Sequence, residues 1–189
     1  MKDDKFGLLL LVGRTIEQAV KDAIKERYSV VMTGSIASAG QHGPRMEDAG
    51  AGVVLADMQL YRGPRAGWVE VKSKTNSNLY RRFGIEEHGI DRSKAVEYWK
   101  LQKETGLPVY LLICEYKTGD VLMQDFDTLK QPKFFRKSPD GKMINWDRGI
   151  FARVGEFVIP ADDLRRLVVT IDWAQFETFC TQPILIEEE

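Results

Sequence analysis

Val53-Val54-Leu55-Ala56-Asp57 and Trp68-Val69-Glu70-Val71-Lys72, with Glu70 thirteen residues after Asp57, are the two stretches on which the fold turns. Both are rich in β-branched and aromatic residues, and Arg62-Gly63-Pro64-Arg65 between them is turn chemistry. Val53 to about Tyr61 and Ala66 to Ser73 therefore read as the two strands of a hairpin. Side chains two apart on a strand share a face. Glu70 and Lys72 then point the same way as Trp68, while Val69 and Val71 enter the opposite layer. Asp57 ends the apolar run on the partner strand, within cross-strand reach. Two carboxylates and an ammonium on adjacent strands can hold a divalent cation and a phosphate together, which metal-assisted cleavage of a phosphodiester requires. Asp57 and Glu70 offer the hard oxygen ligands that Mg²⁺ prefers, and the Val71 carbonyl can add a neutral one. Lys72 beside them would orient an attacking water, help lower its pKa and offset charge in the transition state.

Working outward, Thr15-Ile16-Glu17-Gln18 has the form of a capping box. Ile16, Ala19, Val20, Ala23 and Ile24 follow at helical spacing, which predicts a helix carrying Glu17 and running to about Arg27. Leu8 to Val12 fits either an extra helical turn or a short strand. Tyr28 to Thr33 reads as a strand, followed by a long Gly, Ala and Ser-rich loop from Gly34 to about Gly52. After the hairpin comes a second long segment, Lys74 to Ile90. Asp91 is placed to cap a helix over Arg92–Thr105, which Gly106 and Pro108 terminate. Val109 to Cys114 reads as a central strand, Lys117-Thr118-Gly119-Asp120 as a turn, and Val121 to Phe126 as a further strand. The order is α-β-β-β-α-β-β. Beyond Asp127 the pattern weakens, with an exposed turn around Phe134–Lys142, short strands at Met143–Trp146 and Phe157–Ile159, and a short helix from Pro160 through Leu167. No repeat or interdomain linker stands out.

A helix bearing Glu17, an apolar strand ending in Asp57, a hairpin partner with Glu70-x-Lys72, then a helix and a buried strand: the combination resembles the PD-(D/E)XK nucleases. The resemblance covers about residues 14–126. It implies a mixed α/β (α+β) fold, with the restriction-endonuclease-like and Holliday-junction-resolvase-like αβββαβ core, a central mixed sheet flanked by helices. Residues 1–126 would form that core, and 127–189 a C-terminal extension packed on the same domain. It further implies Mg²⁺ or Mn²⁺ held by Asp57, Glu70 and the Val71 carbonyl, with Glu17 as a ligand or acting through water, and Lys72 as the fourth catalytic residue. The implied substrate is DNA, less often RNA. The single small domain suits structure-specific endonucleases, which usually act as homodimers, and small phage or mobile-element nucleases. Ala56 stands where the family name has Pro; that residue shapes the chain and carries no chemistry.

Three alternatives compete. A Glu-x-Lys arises by chance about once in a chain of this length, and Glu115-Tyr116-Lys117 is a second one, at a strand exit without an Asp-bearing partner. Glu70, Lys72 and Asp57 would then be a solvated pair and a surface acid. The same fold without catalysis would be a nucleic-acid-binding or scaffold protein, and a phage or plasmid interaction protein would carry the motif by coincidence. Pro139-Asp140, beside Gly141-Lys142, reads as a surface turn.

Net charge is −1, yet Tyr61–Lys103 holds ten Lys/Arg against five Asp/Glu, so local basic surface can face a polyanion. Lys74, Arg81, Arg82 and Lys94 are the candidate nucleic-acid contacts, Arg81 and Arg82 lying in the aromatic-interleaved stretch Asn78–Phe83. Tyr98 and Gln102 share a helix face with Lys94, with Tyr98 equally placed for the core. His88 and His42 are weaker candidates, since a metal-activated water needs no histidine. Cys114 and Cys180 lack metal-ligand spacing and read as buried thiols. Leu8–Val12 is too short for a membrane span and follows Asp3-Asp4 rather than a basic leader. The expected location is cytoplasmic.

Overall fold

The structure, a computed structural model, describes residues 2–33, 45–46, 53–74, 77–80, 84–160 and 166–180. In chain order these form α1 (Lys2–Ile24), β1 (Ser29–Met32), β2 (Arg45–Met46), β3 (Val53–Val54), β4 (Met58–Arg62), β5 (Arg65–Lys74), β6 (Asn78–Tyr80), β7 (Ile85–Asp91) and α2 (Arg92–Thr105). There follow β8 (Val109–Glu115), β9 (Asp120–Asp125), α3 (Phe126–Leu129), β10 (Phe135–Lys137), β11 (Met143–Asp147), β12 (Ala152–Val158), β13 (Val168–Ile171) and α4 (Trp173–Phe179).

The result is a mixed α+β architecture. A seven-stranded sheet runs β1-β4-β5-β8-β9-β12-β13, antiparallel throughout except at its centre, where β5 and β8 are parallel. Parallel neighbours need a crossover, and α2 provides it. β8 is buried along its whole length, as expected of a strand covered on both faces. On one face Ile16, Val20 and Ile24 of α1 and Phe176 of α4 pack with Val69, Val71 and Leu112. On the other, Ala95, Tyr98 and Leu101 of α2 and Phe126 and Leu129 of α3 pack with Trp68, Leu111 and Ile113.

A smaller antiparallel sheet, β10-β11-β7-β6, stands beside the α2 face. β7 leads straight into α2, and the Arg92 N–H donates to the Lys142 carbonyl at 2.7 Å, so the β10–β11 hairpin is tied to the start of that helix. Gly106 ends α2 in the left-handed region at φ 65°, its N–H donating to the Gln102 carbonyl.

Several sequence expectations change. The helix begins at Lys2, not at a Thr15 cap: the Thr15 hydroxyl donates one turn back to the Leu11 carbonyl at 2.9 Å, as mid-helix threonines do. Leu8–Val12 is part of this helix. The strand expected over Val53 to Tyr61 is broken at residues 55–57, with Val53–Val54 pairing with β2 and only Met58–Arg62 joining the large sheet. The segment Lys74 to Ile90 contains β6 and β7. Asp91 occupies the N-cap position of α2 without a side-chain cap. Of the helix expected from Pro160 to Leu167, residues 161–165 lie outside the described residues, as does His42. Cys114 and Cys180 are buried and unpaired. No described helix is long and apolar enough to cross a membrane.

Candidate active site

The β4–β5 hairpin closes through Gly63 and Pro64, with Gly63 at φ 58°, the left-handed value a two-residue hairpin turn needs at its first position. That turn fixes the register at Met58 opposite Val69, and register decides which face each β5 residue meets. Val69 and Val71 enter the α1 layer, and Trp68 enters the α2 layer, where its indole N–H donates to Thr105 at 3.2 Å. Glu70 and Lys72 follow Trp68 onto that side.

Glu70 is 3% exposed, and Lys72 forms an ion pair with it while keeping about a third of its side chain in water. The arrangement is therefore not a solvated surface pair. From α2, the Tyr98 hydroxyl reaches Glu70, while its ring packs edge-on against Phe126 at 5.4 Å. Asp57 sits just before the start of β4. Its Oδ2 accepts the Val71 N–H at 2.8 Å, a bond from the middle of the Glu70-x-Lys72 segment itself. Glu17 lies half-buried on α1 within electrostatic range of Lys72 and Glu70. The structure brings Glu17, Asp57, Glu70 and Lys72 to one locus.

The electrostatics are strained toward negative charge. Burial, then repulsion from Glu70 and Glu17, raises the Asp57 carboxyl well above its ordinary range against the pull of Lys72 and the Val71 N–H. Glu17 is raised too, chiefly by burial, with Lys72 opposing and Glu70 adding to the rise. Burial works against the Lys72 ammonium, but Glu70, Asp57 and Glu17 outweigh it and hold its pKa above the ordinary lysine value. Lys72 is thus a fixed cation and not a proton acceptor. Tyr98 is raised well above its usual value by burial and by Glu70, so its hydroxyl stays a donor.

Three acidic side chains around one ammonium, two of them destabilised as anions, form a donor set that a hard divalent cation would relieve. Among the described residues no three His, Cys, Asp or Glu side chains stand close enough to hold a metal by themselves. Mg²⁺ commonly takes one or two protein carboxylates and completes its shell with water and substrate phosphate. Asp57 and Glu70 fit that requirement.

The other sequence candidates divide. Lys74 donates to the Gly89 carbonyl at 2.8 Å, joining β5 to β7, and its ammonium is lowered by burial and by Lys72. Lys94 is half-buried on α2, whereas Arg81 and Arg82 lie outside the described residues. The Gln102 side chain accepts from the Val109 N–H at 3.3 Å. His88 is 1% exposed, with Nε2 2.6 Å from Glu115 Oε1 but neither ring nitrogen in a well-directed hydrogen bond. Burial lowers the His88 pKa against the opposing pull of Glu115. Glu115, from the second Glu-x-Lys, takes a two-point contact from Arg148 (3.0 and 2.7 Å), which also reaches Asp120 at 2.7 Å. Burial pushes Glu115 up, but Arg148, Thr118 and His88 hold it below its ordinary value. This cluster fastens the small sheet to the large one. Its Arg148 went unread because an arginine after a weakly patterned stretch carries no signal.

No family model matches the chain, and no curated protein sequence matches it. Among solved structures, the Holliday junction resolvase Hjc of Archaeoglobus fulgidus is similar with a TM-score of 0.46 and 9% sequence identity. That likeness covers 75% of this chain and 89% of the resolvase chain.

Proposed function

We propose that this chain is a divalent-metal-dependent nuclease that hydrolyses phosphodiester bonds of DNA. The observation that carries the reading is the buried Glu70, paired with Lys72 and joined to Asp57 through the Val71 N–H. Burying charged groups is costly unless they serve one another or a ligand.

Asp57, Glu70 and the Val71 carbonyl would hold Mg²⁺ or Mn²⁺, with Glu17 as a further or outer ligand. When bound, the cation supplies charge for the phosphate and acidifies water at the scissile bond. The protein's own groups do the rest. Lys72 donates to a phosphate oxygen and to the attacking water, holding both in line and offsetting the charge that builds on phosphorus. Tyr98 steadies Glu70, and the Val71 N–H steadies Asp57. A structure-specific endonuclease of a phage or mobile element, acting as a cytoplasmic homodimer, is the narrower form of the proposal.

The test is cleavage of labelled linear, circular and branched DNA with Mg²⁺, Mn²⁺ or EDTA, by wild type and Lys72→Ala. Metal-dependent cutting that falls by about 10²–10³-fold in the variant, with DNA binding retained, is expected. Undiminished cutting by Lys72→Ala removes that residue from the mechanism. No cutting of any substrate, and no Mn²⁺ binding by calorimetry, supports the non-catalytic nucleic-acid-binding or scaffold reading instead.

A further inference from the structure

We infer that Thr33 is a positioning residue for Asp57; its bearing on catalysis rests on the nuclease reading above. The argument starts in the β4–β5 ladder. A two-residue hairpin closes on a hydrogen-bonded pair, and such pairs then recur at every second position. Arg62–Arg65, Leu60–Gly67 and Met58–Val69 are those pairs, and a continued ladder would next join Ala56 to Val71. It does not continue. The chain leaves the ladder beyond Met58, and the Val71 N–H that the Ala56 carbonyl would have taken is accepted by Asp57 Oδ2 instead. A side chain has replaced a backbone acceptor, and the carboxylate is thereby locked against the Glu70-x-Lys72 segment.

That exchange displaces the Ala56 carbonyl, whose residue is 1% exposed. A buried carbonyl without a donor is costly. The donor is Thr33: its hydroxyl hydrogen-bonds the Ala56 carbonyl and lies 3.1 Å from the Asp57 carbonyl, which also accepts the Thr33 N–H at 3.2 Å. One residue at the end of β1 thus grips two consecutive carbonyls where β4 departs from β5. Without the Thr33 hydroxyl, the regular ladder would compete for the Val71 N–H and draw Asp57 out of place.

Thr33→Val keeps shape and strand preference and removes only the donor; Thr33→Ser restores it. Thr33→Ala removes the same hydroxyl should the valine variant fail to fold. The first readout is amide exchange in metal-free protein, with Leu112 as a core reference. We expect Val71 exchange to change by about tenfold or more in Thr33→Val while Leu112 holds, and Thr33→Ser to match wild type. The second is Mn²⁺ affinity by calorimetry, expected to fall by about 10–100-fold in Thr33→Val and to recover in Thr33→Ser. Unchanged Val71 exchange, an equal change at Leu112, or a serine variant that fails to recover would overturn the assignment. Wild type that neither binds Mn²⁺ nor cuts DNA would overturn the nuclease reading, while Val71 exchange would still decide whether Thr33 holds Asp57.

Discussion

Glu70 has a donor on either side, Lys72 two residues along its own strand and Tyr98 across the layer on α2. Because the Tyr98 ring also packs on Phe126, Tyr98→Phe separates the two roles: the ring contact stays and the hydroxyl goes. The expected result is a stability loss of about 1 kcal/mol by denaturant titration, with Mn²⁺ affinity falling by about tenfold. Unchanged affinity would confine Tyr98 to the core. Glu70 and Lys72 were legible in sequence because a strand's period of two leaves no freedom about which side chains share a face. Tyr98 was ambiguous for a physical reason, since an aromatic on an inward helix face suits a core and a site equally. Thr33 gave no signal, because a threonine ending a strand is what strand propensity already favours. Lys74 reads in sequence as a candidate nucleic-acid contact, and its bond to the Gly89 carbonyl was hidden because Gly89 lies on a strand that the sequence pattern did not disclose.

Elements were legible where one physical rule dominates. Arg92–Thr105 was delimited by Gly106 and Pro108, and Val109–Cys114 by its unbroken apolar run. The break at residues 55–57 was hidden, since Val53 to Ala56 is as apolar as any strand and the hydroxyl that meets the displaced Ala56 carbonyl comes from Thr33, just past β1. β12 was read only at its end, Phe157–Ile159, because its neighbours Arg153, Gly155 and Glu156 look like loop chemistry. Gly155 has a packing reason. A Cβ there would meet the Thr170 carbonyl oxygen at 2.2 Å and Ile171 Cα at 3.2 Å, both backbone atoms of β13. Gly155 also stands at the register shift between β9 and β12. Gly155→Ala should therefore cost about 1–3 kcal/mol in denaturant unfolding, with exchange rising first at Val169 and Ile171. A variant as stable as wild type would mean that β13 moves aside freely.

For the molecule as a whole, the acidic site couples stability to pH and, on the nuclease reading, would couple it to a bound cation. Asp57 and Glu17 have folded-state pKa values above their unfolded ones. Their contribution is therefore fully present below the unfolded values and is lost as pH rises through the folded ones. A cation bound to the ionised carboxylates would reverse that loss, and its binding would release protons. Mn²⁺ at about a hundred times its dissociation constant should stabilise by about 2.7 kcal/mol near neutral pH. The rise in melting temperature should shrink when the measurement is repeated at acid pH, because the raised Asp57 and Glu17 carboxyls take up protons sooner than ordinary ones as pH falls. A rise of equal size at both pH values would place the cation elsewhere. The core order around β4, β5, α2 and β8 was legible at this scale; the second sheet was not, because its partners β7 and β11 lie far apart in sequence and only the folded chain joins them.

The placing of β5 between β4 and β8 has a consequence in time. β4 reaches β5 through a two-residue turn, but β8 arrives only after β6, β7 and α2 have been laid down. Closing so long a detour is the slow part of assembling such a sheet. The acidic locus is complete only once α2 covers β5, which would place it in the late stages of folding. A ligand that grips a late-formed locus does little for the speed of folding and acts on the escape from the folded state. A bound cation would therefore lengthen the lifetime of the folded protein more than it hastens its formation.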